Sequence, residues 1–495
     1  MNPIFSPAGE GWPGFPARAY ARLDQTEPLD PREADEAVFC FDALDADWPG
    51  FATDGAFDLG RPQDTRARLA AFWRGMFGPP ASRPLSNLFD PMPIYRIEVT
   101  SRPGDRYWEK LVGLGEGEWV TLTLAPVGDF PVDVYGGILA GVVEAWLASI
   151  ASTPPPDSAA LDEAFDVDLW PDAADDDIDQ AIANRGTIET LVAFDVGQGA
   201  AAGLLDGSEN VRLFFDLGAG AYGNVKTRPK PLRFCWRKNP PIVLSHWDTD
   251  HWAGEITDPH AASRTWVAPR QRKLGPTHHA FAARTLAAGG TLLIWGAAAG
   301  TTRTHTLATG QTLTLSRCTG RSRNGSGIAG LVEARGGEAW LLTGDAGYHE
   351  LALAMPTQLS TVLVPHHGAN MGAASVAPRR PPGYTRLVYS FGPGNTHGRT
   401  RIMHPTAQAV THHANQGWSH GAWSLATPAQ TIAGGDVLAT AENPAGALAG
   451  RHLDSAASGW TAAPAVPYGT LPCGKVPCPA GRTSANGCTG DVKQA

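Results

Sequence analysis

The chain is poor in cysteine and in long apolar runs, and each shortage excludes a class of protein. Six cysteines in 495 residues are too few for a disulfide framework, so a cytoplasmic location is expected. The N-terminus has no basic segment followed by an apolar core, which predicts no signal peptide. The longest apolar stretch, Gly136 to Ala151, contains Glu144 and is too short to cross a bilayer. We expect it to be a buried helix, and we expect no membrane partner.

Charged residues are also scarce, at 18% of the chain, and they are unevenly distributed. Residues 1–185 contain 13 basic and 32 acidic side chains, whereas residues 186–445 contain 22 basic and 15 acidic ones. A strongly acidic first part therefore precedes a basic one. Such asymmetry bears on the choice of partners, because a basic surface attracts polyanions.

Composition and pattern divide the chain into four parts. Residues 1–155 mix strand-like and helix-like runs and predict a separate acidic α+β accessory or regulatory domain. Residues 156–185 are rich in aspartate and predict a solvated linker, or alternatively an acidic strap over the basic part. Residues 186–445 form the basic part. Residues 446–495 predict a loosely tethered tail, or a zinc knuckle built from Cys473, Cys478, Cys488 and His452.

Short apolar runs dominate the basic part from Ile188 onward, and each ends in Gly, Asp, Ser or His. They predict strands whose carboxyl ends carry polar residues. Helix-like segments lie between them, at residues 277–290 and 348–355. The pattern predicts an α/β fold in which two sheets pack face to face and helices cover them, an αββα sandwich.

The stretch "SHWDTDHW" concentrates metal-seeking side chains directly after one of these strands. His246, Asp248 and Asp250 alternate, so in extended backbone they point to the same side, and His251 follows at the turn. Such a cluster can supply two neighbouring divalent cations. Trp247 and Trp252 lie among these residues and either pack in the core or stack on unpaired bases.

Three further candidates close later strands. Asp345 ends "WLLTGD", and His366 and His367 end "VLVPHHG". A carboxylate after one strand could bridge two metals, and an imidazole after the next could complete the second site. Asp345 could alternatively cap a helix.

The ordered set "FDVGQG", "FFDLG", "LSHWDTDHWAG", "LLTGD", "VPHHG" and "GNTHGRTRIMHP" resembles the metallo-β-lactamase superfamily. Within it, the set is similar to the ComEC-like branch, the soluble nuclease domain of bacterial DNA-uptake proteins. The resemblance runs from about Ile188 to about Asn443. It implies a hydrolase domain over residues 186–445, with two divalent ions, Zn²⁺ or Mn²⁺, as cofactors.

The resemblance also implies roles for individual residues. The ligands would be His246, Asp248, Asp250, His251, Asp345 and one of His366 and His367. Asp345 would bridge the ions, and the histidine that is not a ligand would contact substrate. Asp248 stands where the superfamily usually has histidine, and the usual intermediate histidine ligand has no clear counterpart. His404 and Asn395 could bind phosphate or protonate the leaving group, and Asp195 could orient a ligand.

Basic runs favour nucleic acid, DNA or RNA, as substrate. They comprise residues 226–238, residues 264–273, and Arg321 with Arg323. We therefore expect a nuclease that uses a dinuclear metal-activated hydroxide. The N-terminal region would restrain it until a regulatory protein or protease acts, as in an effector of bacterial antiviral defence. Two alternatives are hydrolysis of a small phosphoester, lactone or thioester, and a binding or regulatory module with a vestigial metal site.

Overall fold

A computed structural model describes residues 1–208, 210–230, 232–333, 339–356, 359–383, 385–421 and 432–442, with the backbone of 452–456 and 459–462. Cys473, Cys478 and Cys488, the zinc-knuckle candidates, lie outside the described residues. Within these ranges, no helix is long and apolar enough to cross a membrane.

The chain folds into strands and helices with the following bounds. The strands are β1 (Arg18–Glu27), β2 (Ala37–Asp45), β3 (Ile94–Ser101), β4 (Trp119–Ala125), β5 (Pro131–Tyr135), β6 (Val143–Ser152), β7 (Thr190–Phe194), β8 (Ala201–Leu205), β9 (Val211–Leu217), β10 (Ile242–Val243), β11 (Thr265–Pro269), β12 (Thr291–Trp295), β13 (Thr302–Ala308), β14 (Gln311–Arg317), β15 (Ile328–Glu333), β16 (Ala339–Leu342), β17 (Thr361–Leu363), β18 (Arg386–Tyr389), β19 (Val437–Ala439), β20 (His452–Ala456) and β21 (Gly459–Ala462). The helices are α1 (Pro62–Met76), α2 (Trp108–Val112), α3 (Pro155–Ala164), α4 (Asp175–Ile182), α5 (Gly254–Thr257), α6 (Pro276–Ala287) and α7 (Ala407–Asn415).

Two compact units make up the fold. The first consists of residues 1–171, 271–292 and 396–402, and the second of residues 172–270, 293–395 and 403–495. The first unit therefore includes two segments from later in the chain. The expected domain boundaries at 155, 185 and 445 remain predictions.

The first unit is built around a closed antiparallel barrel with strand order β1-β2-β3-β5-β6-β4. Side chains at alternating positions of the strands point inward, as in a pleated strand with one buried face. Ala19, Ala21 and Leu23 of β1 face Phe39 and Phe41 of β2 in one core. The prediction of a buried helix over residues 136–151 was wrong, because β6 occupies most of that stretch. In β6 the buried side chains of Ala145 and Leu147 alternate with more exposed ones, which is the pattern of a strand and not of a buried helix.

The acidic segment at residues 156–185 contains helices rather than extended chain. Leu161 in α3 is buried, and so are Ile178 and Ile182 in α4. Within the second unit, Asp175 and Asp179 of α4 both pair with Arg303 in β13. Part of the acidic segment is therefore packed on basic side chains of that unit.

The second unit is a mixed α/β structure with two sheets. One has the order β12-β11-β10-β9-β8-β7-β20-β21, and the other β13-β14-β15-β16-β17-β18-β19. Their apolar faces meet in a single core, which includes Leu191, Leu213, Val243, Leu313, Leu315, Val332 and Leu342. Most strands expected after Ile188 are confirmed, and so is the helix over 277–290, which is α6. The helix expected at 348–355 is reduced to a single turn at Tyr348–Glu350.

Candidate metal centre

Parallel strands bring the candidate ligands together in the second unit. β9, β10 and β11 run parallel to one another, as do β16, β17 and β18. The carboxyl ends of parallel strands meet at one edge of a sheet. His246 follows β10, Asp345 follows β16, and His366 follows β17. β10 belongs to one sheet and β16 and β17 to the other, and the two sheets pack on one core. This packing places the end of β10 beside the ends of β16 and β17, so that His246 becomes a neighbour of Asp345.

Within the second unit, two groups of three side chains could each hold a cation, and they share one member. The first group is His246, His251 and Asp345, and the second is Asp250, His251 and His367. Within each group the donor atoms lie within 4.8 Å of one another. The Asp345 carboxylate presents Oδ1 to His251 Nε2 at 3.1 Å and Oδ2 to His246 Nε2 at 3.6 Å.

The Nε2 atoms of three imidazole rings in the centre lack hydrogen-bond partners among the described residues, as ligands of a cation would. Nε2 of His246, His251 and His367 is buried and makes no hydrogen bond to any described residue. Carboxylate oxygens lie 3.1–3.6 Å from these atoms but outside hydrogen-bonding geometry. Because buried polar atoms are normally paired, three such atoms around one space match a metal site. The donor set of imidazole and carboxylate suits Zn²⁺ and Mn²⁺.

Asp216 and Ser245 support the histidines and were not among the predicted site residues. The Asp216 carboxylate accepts hydrogen bonds from the Ser245 amide at 2.6 Å and hydroxyl at 2.7 Å, and lies 2.9 Å from His251 Nδ1. The Ser245 hydroxyl oxygen is also 3.0 Å from His246 Nδ1. With Nδ1 of each ring facing an acceptor, the neutral form of each ring would carry its lone pair on Nε2, toward the centre. Gly344, at φ 56°, allows the approach, since a Cβ there would lie 2.6 Å from that of Ser245.

Asp248 is a member of neither donor group, although it lies next to His246, and it forms a buried ion pair with Arg323. Its Oδ2 is 3.4 Å from His246 Nε2, whereas Oδ1 accepts from Arg323 Nε. Both side chains are 3% exposed. Burial alone would raise the pKa of Asp248, but the charge of Arg323 outweighs it and holds that pKa well below its usual value. Arg323 therefore keeps Asp248 ionised.

Carboxylates and imidazoles of the centre shift one another's pKa in opposite directions. Burial would lower the pKa of His251, but Asp345 and Asp216 raise it well above its usual value. Burial would raise the pKa of Asp345, but His251 and the neighbouring histidines hold it well below its usual range. A cation bound here would have to displace a proton from imidazole, so we expect its affinity to fall at low pH.

The histidine pair adopts an unusual backbone conformation. His366 and His367 have φ of 48° and 53°, in the left-handed region that costs non-glycine residues about 1–2 kcal/mol each. Strain of this kind is concentrated at functional sites. The turn directs His367 into the second donor group, with Nδ1 2.8 Å from the Ser390 carbonyl. His366 is outside both groups, with Nε2 3.6 Å from Asp345 Oδ2.

His404 and Asn395 lie beside His366. The His404 and His366 rings are 5.4 Å apart between centroids. The Asn395 side chain bonds to the His404 backbone at both its amide and its carbonyl, at 2.8 and 2.6 Å. Asn395 thus fixes the loop that carries His404. Trp247 and Trp252 are completely buried, and their Nε1 atoms donate to the carbonyls of Pro269 and Trp247.

The predicted basic runs divide into internal and exposed side chains. Arg233 donates to the Thr257 carbonyl, Arg270 pairs with Asp172, and Arg323 is buried at the centre. The exposed cations of the second unit's runs are Lys226, Lys230, Arg237, Lys238 and Arg321.

No family model and no curated protein match the chain. Among solved structures, the chain is similar to the crystal structure of Zn²⁺-bound PqqB from Methylobacterium extorquens, with 14% identity over 35% of this chain and 71% of that one. The TM-score is 0.23.

Proposed function

We propose that this protein is a metal-dependent phosphodiesterase of the metallo-β-lactamase superfamily, ComEC-like branch, and that its substrate is nucleic acid. The observation that carries the proposal is the pair of donor groups joined at His251, with buried Nε2 atoms facing the space between them. Sequence motifs of that branch supply every member of both groups. The two sheets with one shared core are compatible with an αββα sandwich.

His246, His251, Asp345, Asp250 and His367 would hold the divalent cations. When bound, such cations lower the pKa of a coordinated water and stabilise negative charge on a phosphoryl oxygen. Residues of the chain orient the ligands and leave the centre open to solvent. Asp216 and Ser245 orient the imidazoles, and Asp250, at 28% side-chain exposure, is the donor most open to solvent.

His404 and His366 would protonate the leaving group. Both rings are buried, at 2% and 5% exposure, and both lie on the side of the centre reached by Asp345 Oδ2. An imidazolium there could give a proton to the departing oxygen. Asn395 serves this role by holding the His404 backbone.

Nucleic acid is favoured as substrate by the exposed lysines and arginines of the second unit, because such side chains bind phosphate backbones in a salt-dependent manner. Restraint by the acidic first part, release by a protein or protease, and a role in bacterial defence remain predictions.

Hydrolysis assays test the proposal directly. The full chain, stripped of metal by chelation and then given Mn²⁺ or Zn²⁺, should cleave labelled DNA or RNA. Asp250→Asn should abolish cleavage while preserving the fold. Asp258→Asn is the matched control. Asp258 is fully buried and accepts hydrogen bonds from the Phe234 amide and Trp236 Nε1, but it belongs to neither group of metal donors. Cleavage of only a small phosphoester or lactone would instead support the second alternative.

A further inference from the structure

An arginine in a segment that adjoins the candidate metal centre has no counter-ion among the described residues. Arg228 follows the turn at Tyr222–Thr227 and is half-buried. Its Nε and Nη1 atoms are completely buried and bond to no described residue. Burial lowers the pKa of Arg228, and no carboxylate in the described part of the chain pairs with it. Buried cations are normally paired, because an unpaired one is costly.

Gln198 presents a second unused donor in the adjacent loop. Its side chain is 2% exposed, and Oε1 accepts from the Gly392 amide at 3.2 Å. That bond fixes the orientation of the side-chain amide, since a flipped amide would point NH₂ at another donor. Nε2 is buried and has no acceptor among the described residues.

The two donors belong to segments that touch each other. The Gln198 amide donates to Thr227 Oγ1 at 2.8 Å, one residue before Arg228. A Cβ at Gly197 would lie only 2.8 Å from the Arg228 amide nitrogen, and Gly197 has φ 78°. Glycine is therefore required where the loop passes Arg228.

The same loop abuts the metal donors. The Ala200 amide donates to the Asp250 carbonyl at 3.1 Å. The Ser390 hydroxyl donates to the Gly199 carbonyl at 2.9 Å, and the Ser390 carbonyl lies 2.8 Å from His367 Nδ1. The segments that carry the two unused donors therefore adjoin the centre, and neither Gln198 nor Arg228 belongs to the two donor groups.

We propose that Gln198 and Arg228 form a phosphate subsite that binds the phosphate flanking the hydrolysed one in a nucleic-acid strand. This inference rests on the proposed function, because it deepens the substrate class of the same site. A guanidinium offers several N–H groups in a planar fork that matches phosphate oxygens, and an amide N–H adds a neutral donor. A bound phosphate would satisfy three buried donor atoms that the chain leaves unused.

Phosphate binding to metal-free protein tests the subsite separately from hydrolysis. With a chelator present, calorimetric titration of inorganic phosphate should show one site in the wild type. Arg228→Gln should weaken it at least tenfold. Arg379→Ala, which removes one exposed charge of the same unit outside the basic runs, should change it less than twofold. Gln198→Glu is a second variant, since it keeps the acceptor for Gly392 but repels an anion, and it should weaken binding similarly.

Thermal unfolding provides an independent readout. Phosphate should raise the melting temperature of the wild type but not of Arg228→Gln, which should be at least as stable as the wild type without phosphate because a buried unpaired charge is gone. A single-stranded oligonucleotide should displace the phosphate. Wild-type protein that binds no phosphate, variants that bind it equally well, or phosphate that the oligonucleotide cannot displace would each overturn the subsite. Absence of hydrolysis with intact phosphate binding would instead refute the proposed function.

Discussion

Replacing Asp216 by asparagine should weaken metal binding without touching a ligand. Asp216 is 1% exposed and faces three partners, the Ser245 amide, the Ser245 hydroxyl and His251 Nδ1. Asparagine keeps the volume but turns one acceptor into an NH₂ group. His251 then loses the carboxylate that holds its proton on Nδ1, and the tautomer with a protonated Nε2 cannot bind a cation.

The expected size follows from the position of Asp216 behind a ligand. Loss of a carboxylate that orients a metal-binding histidine typically costs about 10–100-fold in affinity, which corresponds to roughly 1.4–2.7 kcal/mol. The variant should also be less stable by about 1–3 kcal/mol, because a buried donor loses its acceptor. Because His251 belongs to both donor groups, binding at either position should weaken.

Competition with a chromophoric chelator measures the affinity, and circular dichroism checks the fold. Asp258→Asn again serves as the control, because it also neutralises a buried carboxylate that accepts several hydrogen bonds. It should lose stability but keep the metal affinity of the wild type. A folded Asp216→Asn protein with unchanged affinity would refute the assignment of His251 as an oriented ligand.

Three further predictions concern stability. Arg323→Gln should lower the free energy of unfolding by about 3–5 kcal/mol, because Asp248 is left as an unpaired buried charge; adding Asp248→Asn should restore part of it, and a loss below about 1 kcal/mol would contradict the pairing. Trp247→Ala should cost about 3–5 kcal/mol in denaturant unfolding; unchanged stability with weaker oligonucleotide binding would indicate base stacking instead. Burial lowers the pKa of His279 to about 3. The neutral, buried imidazole therefore adds to the free energy of unfolding at a pH above the pKa of histidine in the unfolded chain, and this stabilisation is lost as the pH falls toward 3. Between pH 7.5 and 5, wild type should lose about 2 kcal/mol more than His279→Phe, and equal losses would refute this.

Candidate ligands that are close in sequence could be named from the sequence, whereas the residues that orient or pair with them could not. His246, Asp250 and His251 are close in sequence at a strand end, so their pattern reveals them. Asp345 and His367 were proposed because each follows a short apolar run in the sequence, as His246 does. These residues could be named without knowing which strands are neighbours.

The supporting residues depend on long-range packing. Asp216 lies inside the "FFDLG" strand signature, and only the parallel pairing of β9 with β10 brings it to Ser245. The sequence predicts Arg323 to be one of several exposed arginines, whereas the fold buries it against Asp248. The choice between His366 and His367 depends on left-handed backbone at both residues, which no periodicity indicates. The apolar run that forms β6 was misread because apolar content alone does not distinguish a buried helix from a barrel strand.

Metal-dependent cleavage by the purified full chain is the most direct test of the central claim. Protein freed of metal should be inactive on labelled single-stranded DNA and RNA, and measured equivalents of Mn²⁺ or Zn²⁺ should restore cleavage of at least one of them. Asp345→Asn should bind less metal and stay inactive, because Asp345 faces both His246 and His251. A wild-type chain that binds the metal at these residues and cleaves no phosphodiester would contradict the account.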